Sequence, residues 1–149
     1  PAGVVNTGKI QWCEPMDRKV GPATGFSVDA LHKLPRVDVI YAHANMSADL
    51  IDAAIKNGAK GLVIAGVGDG NMTTPALDAV TRAAKSGIVV VRSTRLASGI
   101  TLRNNEVNDD EKGLVASGEL NPAKSRVLLQ LALTKTTDPV LIQKMFYEY

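Results

Sequence analysis

Apolar positions along the chain fall into two alternating rhythms, and the change from one to the other marks the elements. Residues 37–41, 61–65 and 88–91 are short, nearly continuous apolar runs rich in Val and Ile, the pattern of strands covered on both faces. Between the first two, Ser47 opens a segment that places Leu50, Ile51, Ala54 and Ile55 on one face and stops at Gly58, which predicts a helix. Between the second and third, Thr74-Pro75 supplies a cap and a first helical position. Leu77, Val80 and Ala84 then form the apolar stripe, and Gly87 terminates it. Strands separated by single helices pair in parallel through right-handed crossovers. The expected fold class is therefore α/β, a small three-layer domain with a mostly parallel sheet flanked by helices, flavodoxin-like or Rossmann-like.

The flanks follow other rules. In residues 1–35 a short apolar stretch at 9–13 is followed by Pro15, Gly21, Pro22 and Gly25, which punctuate loops, so this part reads as a linker with an edge strand or hairpin. Residues 36–149 form the α/β domain. Residues 92–113 are polar, rich in Asn and Asp, and too long for a simple connection, which marks a functional or disordered loop. Asn121-Pro122 caps a helix carrying Val127, Leu128, Leu131 and Ala132 at helical spacing, and Asp138-Pro139 caps a last one. Met145, Phe146, Tyr147 and Tyr149 crowd the end of that helix, either to join the domain's own core or to be covered by a partner subunit.

Composition narrows the function classes. A chain of 149 residues buries roughly 70% of its unfolded surface without staples, and 45% apolar with 21% charged residues excludes a disordered chain. The net charge of +2 comes from scattered residues with no basic run, so nucleic acid is not an expected partner. No apolar run reaches the roughly 18 residues of a membrane span. Cys13 is the sole cysteine and reads as an inert buried thiol. His43 has no Cys or second His at ligand spacing, so no metal and no cofactor is expected. The chain opens at Pro1 without a methionine or a signal-peptide pattern, as a processed chain or a piece of a longer one would.

Ligands of parallel sheets bind beyond the carboxyl ends of the strands, which directs attention to the loops after Tyr41, Ala65 and Val91. The sequence Gly66-Val67-Gly68-Asp69-Gly70-Asn71 permits close backbone approach to a small ligand or a partner chain. It lacks the G-x-G-x-x-G spacing of a dinucleotide site, although this loop alone would suit a Rossmann-like small-ligand domain. Arg92-Ser93-Thr94-Arg95 and Asn104-Asn105-Glu106 read from spacing alone as a solvated face. No G-x-S-x-G elbow is present, and two histidines do not assemble a Ser-His-Asp triad.

These loops, in order, resemble the C-terminal domain of the bacterial type II L-asparaginases and glutaminase-asparaginases. The segments that carry the resemblance are Leu34-Pro35-Arg36-Val37, Gly58-Ala59-Lys60-Gly61, Ala65 through Asn71, Val91-Arg92-Ser93-Thr94-Arg95, Glu106-Val107-Asn108-Asp109, Leu120-Asn121-Pro122-Ala123-Lys124, Arg126 through Thr134, and Tyr149. The resemblance implies an amidohydrolase that converts L-asparagine or L-glutamine to the acid and ammonia. It implies an N-terminal domain, absent from this chain, that holds the Thr nucleophile and its activating residues, so no catalytic residue lies here. It further implies a homotetramer in which one subunit's C-terminal domain completes its neighbour's active site, and a periplasmic or secreted location. Two substrate-binding positions carry over: Asn71, near the substrate's amino-acid head, and Glu106, which contacts the α-amino group. A zwitterionic substrate needs an anion for its ammonium group, and an amide both donates and accepts. The chain departs from the family's commonest pattern at Asp69, Thr73 and Ile64, which leaves substrate preference open. The competing reading is a non-catalytic oligomerisation module that keeps the fold.

Overall fold

The computed structural model describes residues 3–6, 8–12 and 19–149. Cys13 and Pro15, and with them the expected buried thiol, lie outside these residues. Strands β1 (Gly3–Asn6) and β2 (Lys9–Trp12) pair antiparallel as a hairpin. The domain's sheet comprises β3 (Val37–Tyr41), β4 (Gly61–Gly66), β5 (Val89–Thr94) and β6 (Val115–Ala116), all parallel and in the order β3-β4-β5-β6. Its helices are α1 (Asp49–Lys56), α2 (Thr74–Lys85), α3 (Asp109–Lys112), α4 (Pro122–Ala132) and α5 (Pro139–Glu148).

Alternation along the strands divides the core in two. Leu62, Ile64 and Val90 point into a cluster with Ile51 of α1, Val80 and Ala83 of α2, and Leu114. Val37, Val63, Val89 and Val91 point the other way, onto Leu129 and Ala132 of α4 and Ile142 and Phe146 of α5. Covering both faces explains why the strands read as unbroken apolar runs, and each fully buried Val or Leu contributes about 1.5–3 kcal/mol of transfer free energy. The three-layer α/β expectation is met. Strand order never reverses, so within this sheet a switch-point crevice does not form, and any site must be built from the loops at the carboxyl edge.

Several details differ from the sequence reading, each for a physical reason. Strand β5 continues to Thr94, so Arg92, Ser93 and Thr94 are buried and not a solvated face; Arg95 alone of that group is exposed. The α2 cap is Thr73, one residue earlier than expected: its Oγ1 accepts from the Ala76 amide at 3.4 Å and donates to the Met46 carbonyl at 2.7 Å. Strand β6 is two residues long, too short to leave a periodic signal. The two later caps stand where the sequence places them, with Asn121 accepting from Lys124 N and Asp138 from Val140 N.

At the end of α5, Phe146 is buried and Met145 and Tyr149 pack partly against the same core, whereas Tyr147 remains 63% exposed. The Tyr149 ring lies 5.3 Å from that of Phe26, and its hydroxyl donates to the Thr24 carbonyl at 2.8 Å. The stretch after the hairpin is thereby fastened to the last helix.

Candidate functional site

The site starts with a turn that only glycines permit. After β4, Val67 and Asn71 exchange backbone hydrogen bonds of 2.8 Å in both directions, folding residues 67–71 back on themselves. A side chain at Gly66 would place its Cβ 2.3 Å from the Gly70 carbonyl carbon, and Gly68 and Gly70 have φ of 55° and 74°. This folding turns Asn71 outward at the carboxyl edge of the sheet. Its Nδ2 donates to Glu106 Oε2 at 3.0 Å across 35 residues of sequence. Asn71 Oδ1 accepts from the Met72 amide, and among the described residues Glu106 Oε1 takes no hydrogen bond. Both side chains are exposed. The result is a carboxylate held on one oxygen by an amide and open on the other, an arrangement that suits an ammonium group.

What joins the turn to the loop is the buried Arg92. Its Nε and Nη2 form a bidentate pair with Asp109, at 2.6 and 2.7 Å, and both side chains are 0% exposed. Nη1 donates to the Asp69 carbonyl at 2.7 Å and Nη2 to the Leu102 carbonyl at 3.0 Å. Asp109 Oδ2 also accepts from the Asn104 amide at 2.9 Å. One guanidinium thus satisfies groups on β5's two neighbouring loops and on α3, which is what a buried charge requires. Arg92, Asp109 and Asp69 are the residues that sequence reasoning missed as site builders. The available signal was a charged residue continuing the β-run Val89-Val90-Val91, since a strand's alternation carries such a residue inward.

The loop's outer side is held by a second ion pair. Asn104, with φ of 54°, donates from Nδ2 to Asp110 Oδ2 at 2.5 Å and accepts from the Asp110 amide at 3.0 Å, while Arg103 pairs with Asp110 Oδ1. The Asn104 hydrogen bond, and after it the Arg103 guanidinium, hold the Asp110 carboxyl below the ordinary carboxylate range. A depressed carboxyl contributes stability that is complete above its unfolded value, about 3.9, and is lost as pH falls through the lower folded value. We therefore expect the Tm difference between the parent chain and Asp110→Asn to stay constant from neutral pH to about pH 5 and to shrink below about pH 4. A difference that does not begin to shrink below about pH 4 would assign it to packing and not to the carboxylate.

Other candidates make no such constellation. His43 is exposed and its Nδ1 lies 2.8 Å from the Ala44 carbonyl, while the buried Ser93 hydroxyl donates to the Leu120 carbonyl. Among the described residues there is no group of three or more His, Cys, Asp and Glu placed to hold a metal ion, and no helix long and apolar enough to cross a membrane.

Residues 36–146 match the family described as Glutaminase/Asparaginase C-terminal domain. Over 149 residues the chain is 46% identical to "L-asparaginase 2" of Escherichia coli, with 100% of this chain and 43% of that protein covered. It is 44% identical over 147 residues to "Probable L-asparaginase periplasmic" of Haemophilus influenzae, covering 99% of this chain and 42% of the relative. Identity to "Glutaminase-asparaginase" of Pseudomonas fluorescens is 35% over 150 residues, covering 100% of this chain and 41% of the relative. The chain thus spans less than half the length of these relatives.

Proposed function

We propose, from the fact that this chain belongs to the Glutaminase/Asparaginase C-terminal domain family, that it is the smaller domain of an amidohydrolase acting on L-asparagine, with L-glutamine the second substrate to test. Relatives named both L-asparaginase and glutaminase-asparaginase support this substrate class. The observation that carries the reading is the Asn71–Glu106 pair: two residues far apart in sequence, brought together at the carboxyl edge by a turn and a loop whose construction serves to present them. Glu106 receives the substrate ammonium group, and Asn71 steadies that carboxylate and borders the substrate's head. The attacking Thr comes from the N-terminal domain. The working assembly is a homotetramer in which this domain closes a neighbour's site, and its place is the periplasm, as the name of one relative has it.

The test is Glu106→Ala in the assembled enzyme, in which this chain is joined to the amide-attacking domain. Losing a hydrogen bond to a charged group costs roughly 1.5–3 kcal/mol, so kcat/KM for asparagine should fall about ten- to hundredfold. Because Glu106 is exposed, Tm should barely move. The neighbouring Asn108 is a poor control, since its side chain accepts from Glu111 N and caps α3. Asp78, on the outer face of α2, is a better one. Equal losses for Glu106→Ala and Asp78→Ala would reduce Glu106 to a surface charge.

A further inference from the structure

The turn that bears Asn71 and the loop that bears Glu106 are stitched together at more than the pair itself. Asp69 Oδ1 accepts from the Leu102 amide at 2.5 Å, and Oδ2 accepts from Asn105 Nδ2 at 2.6 Å. The Asp69 carbonyl is in turn gripped by the buried Arg92 at 2.7 Å. Arg92 fixes Asp69, and Asp69 fixes Asn105, the residue next to Glu106. On the far side of Glu106, Val107 is buried. Glu106 thus sits between one neighbour anchored in the core and one anchored by the Asp69 carboxylate.

We propose that Asp69 is a positioning residue: it sets the place of Glu106 through Asn105 and Leu102, and it does so by hydrogen-bond geometry and not by its charge. The proposal rests on the reading of Glu106 as the group that binds the substrate ammonium. The stitch matters because the direct Asn71–Glu106 bond lies between exposed side chains, which hold one another weakly against water. Removing Asp69's oxygens frees the Leu102 amide and the Asn105 side chain together, and a carboxylate displaced by an ångström loses much of its value to a bound cation. Charge is dispensable for the stitch. In Asp69→Asn the amide oxygen still accepts from Leu102 N, and the amide nitrogen donates to Asn105 Oδ1 once that side chain turns over. Asp69→Ala offers neither.

The experiment is a double-mutant cycle on kcat/KM for asparagine in the assembled enzyme, with Asp69→Ala, Asp69→Asn and Asn105→Ala each made alone and on the Glu106→Ala background. Asp69→Ala should lower kcat/KM about tenfold, chiefly through KM, and Asp69→Asn should stay within about threefold of the parent. Asn105→Ala, at an exposed site that leaves the fold alone, should lose part of the same effect. On the Glu106→Ala background all three should cost nothing further, because the group they position is gone. A general structural role would add its loss to that of Glu106→Ala, and this additivity would overturn the proposal. A loss in Asp69→Asn as large as in Asp69→Ala would overturn the geometric reading in favour of charge. Glu106→Ala without any loss would instead remove the headgroup site itself, and the positioning role with it. Full effects in the single variants that vanish in the doubles establish it.

Discussion

Arg92→Met is expected to destabilise this chain by about 3–5 kcal/mol, lowering Tm by on the order of 10 °C. The guanidinium and its Asp109 partner are fully buried. Methionine fills similar volume but leaves the Asp109 carboxylate without its cation and removes the donors to the Asp69 and Leu102 carbonyls. Breaking one side of a buried pair is the costly operation; exchanging both partners for apolar groups is not. Arg92→Met/Asp109→Leu should therefore recover a large part of the loss, held short of the parent by the two carbonyls and by the Asn104 amide that Asp109 also receives. Urea denaturation of the parent, the single and the double variant measures this. A single variant that loses less than about 1 kcal/mol would show that the pair is reached by water and carries no such weight.

The second large effect concerns activity. Purified alone, this chain should release no ammonia from asparagine above the buffer rate, although enzymes of ordinary quality exceed that rate by at least about a millionfold. Amide cleavage needs a nucleophile beside a base. Among the described residues the buried hydroxyl of Ser93 is committed to the Leu120 carbonyl, that of Thr94 accepts from the Leu96 amide, and neither has a base among its hydrogen-bond partners. Asn71 and Glu106, proposed to hold the substrate's head, have no hydroxyl or thiol among their hydrogen-bond partners in the described residues. Turnover that survives purification to homogeneity, with no second chain present, would show that the nucleophile lies within these residues after all.

Strands β3, β4 and β5, helices α1, α2, α4 and α5, and the caps of the last two helices were legible in the sequence because each leaves a local mark: Asn121-Pro122 and Asp138-Pro139 announce helix starts, and Val37 to Tyr41 reads as a strand by run and composition. The positions of Asn71 and Glu106 became visible through family resemblance, since nothing in their spacing of 35 residues predicts contact. What stayed hidden was the means of bringing them together. Arg92 reads as a loop charge because polar neighbours follow it; its register in β5, opposite Ile64 of β4, keeps it on the strand, where it is buried. Strand β6 was invisible for a related reason: it takes its place from pairing with Val91 and Arg92 and not from any rhythm of its own.

The unreversed strand order also bears on how the chain is made. As synthesis proceeds from the amino terminus, β4 and β5 can each pair with the strand made just before, and α1 and α2 can cover one face as they emerge. The opposite face, with Val37, Val63, Val89 and Val91, waits for α4 and α5. Arg126 of α4 then reaches back to the Val37 carbonyl at 2.8 Å, and Gln130 to the Pro35 carbonyl at 3.2 Å, spanning 89 and 95 residues. Until that closure a nascent chain carries a bare valine-rich sheet surface, the kind that chaperones hold and that aggregation exploits. The last two helices are thus the elements that close this surface.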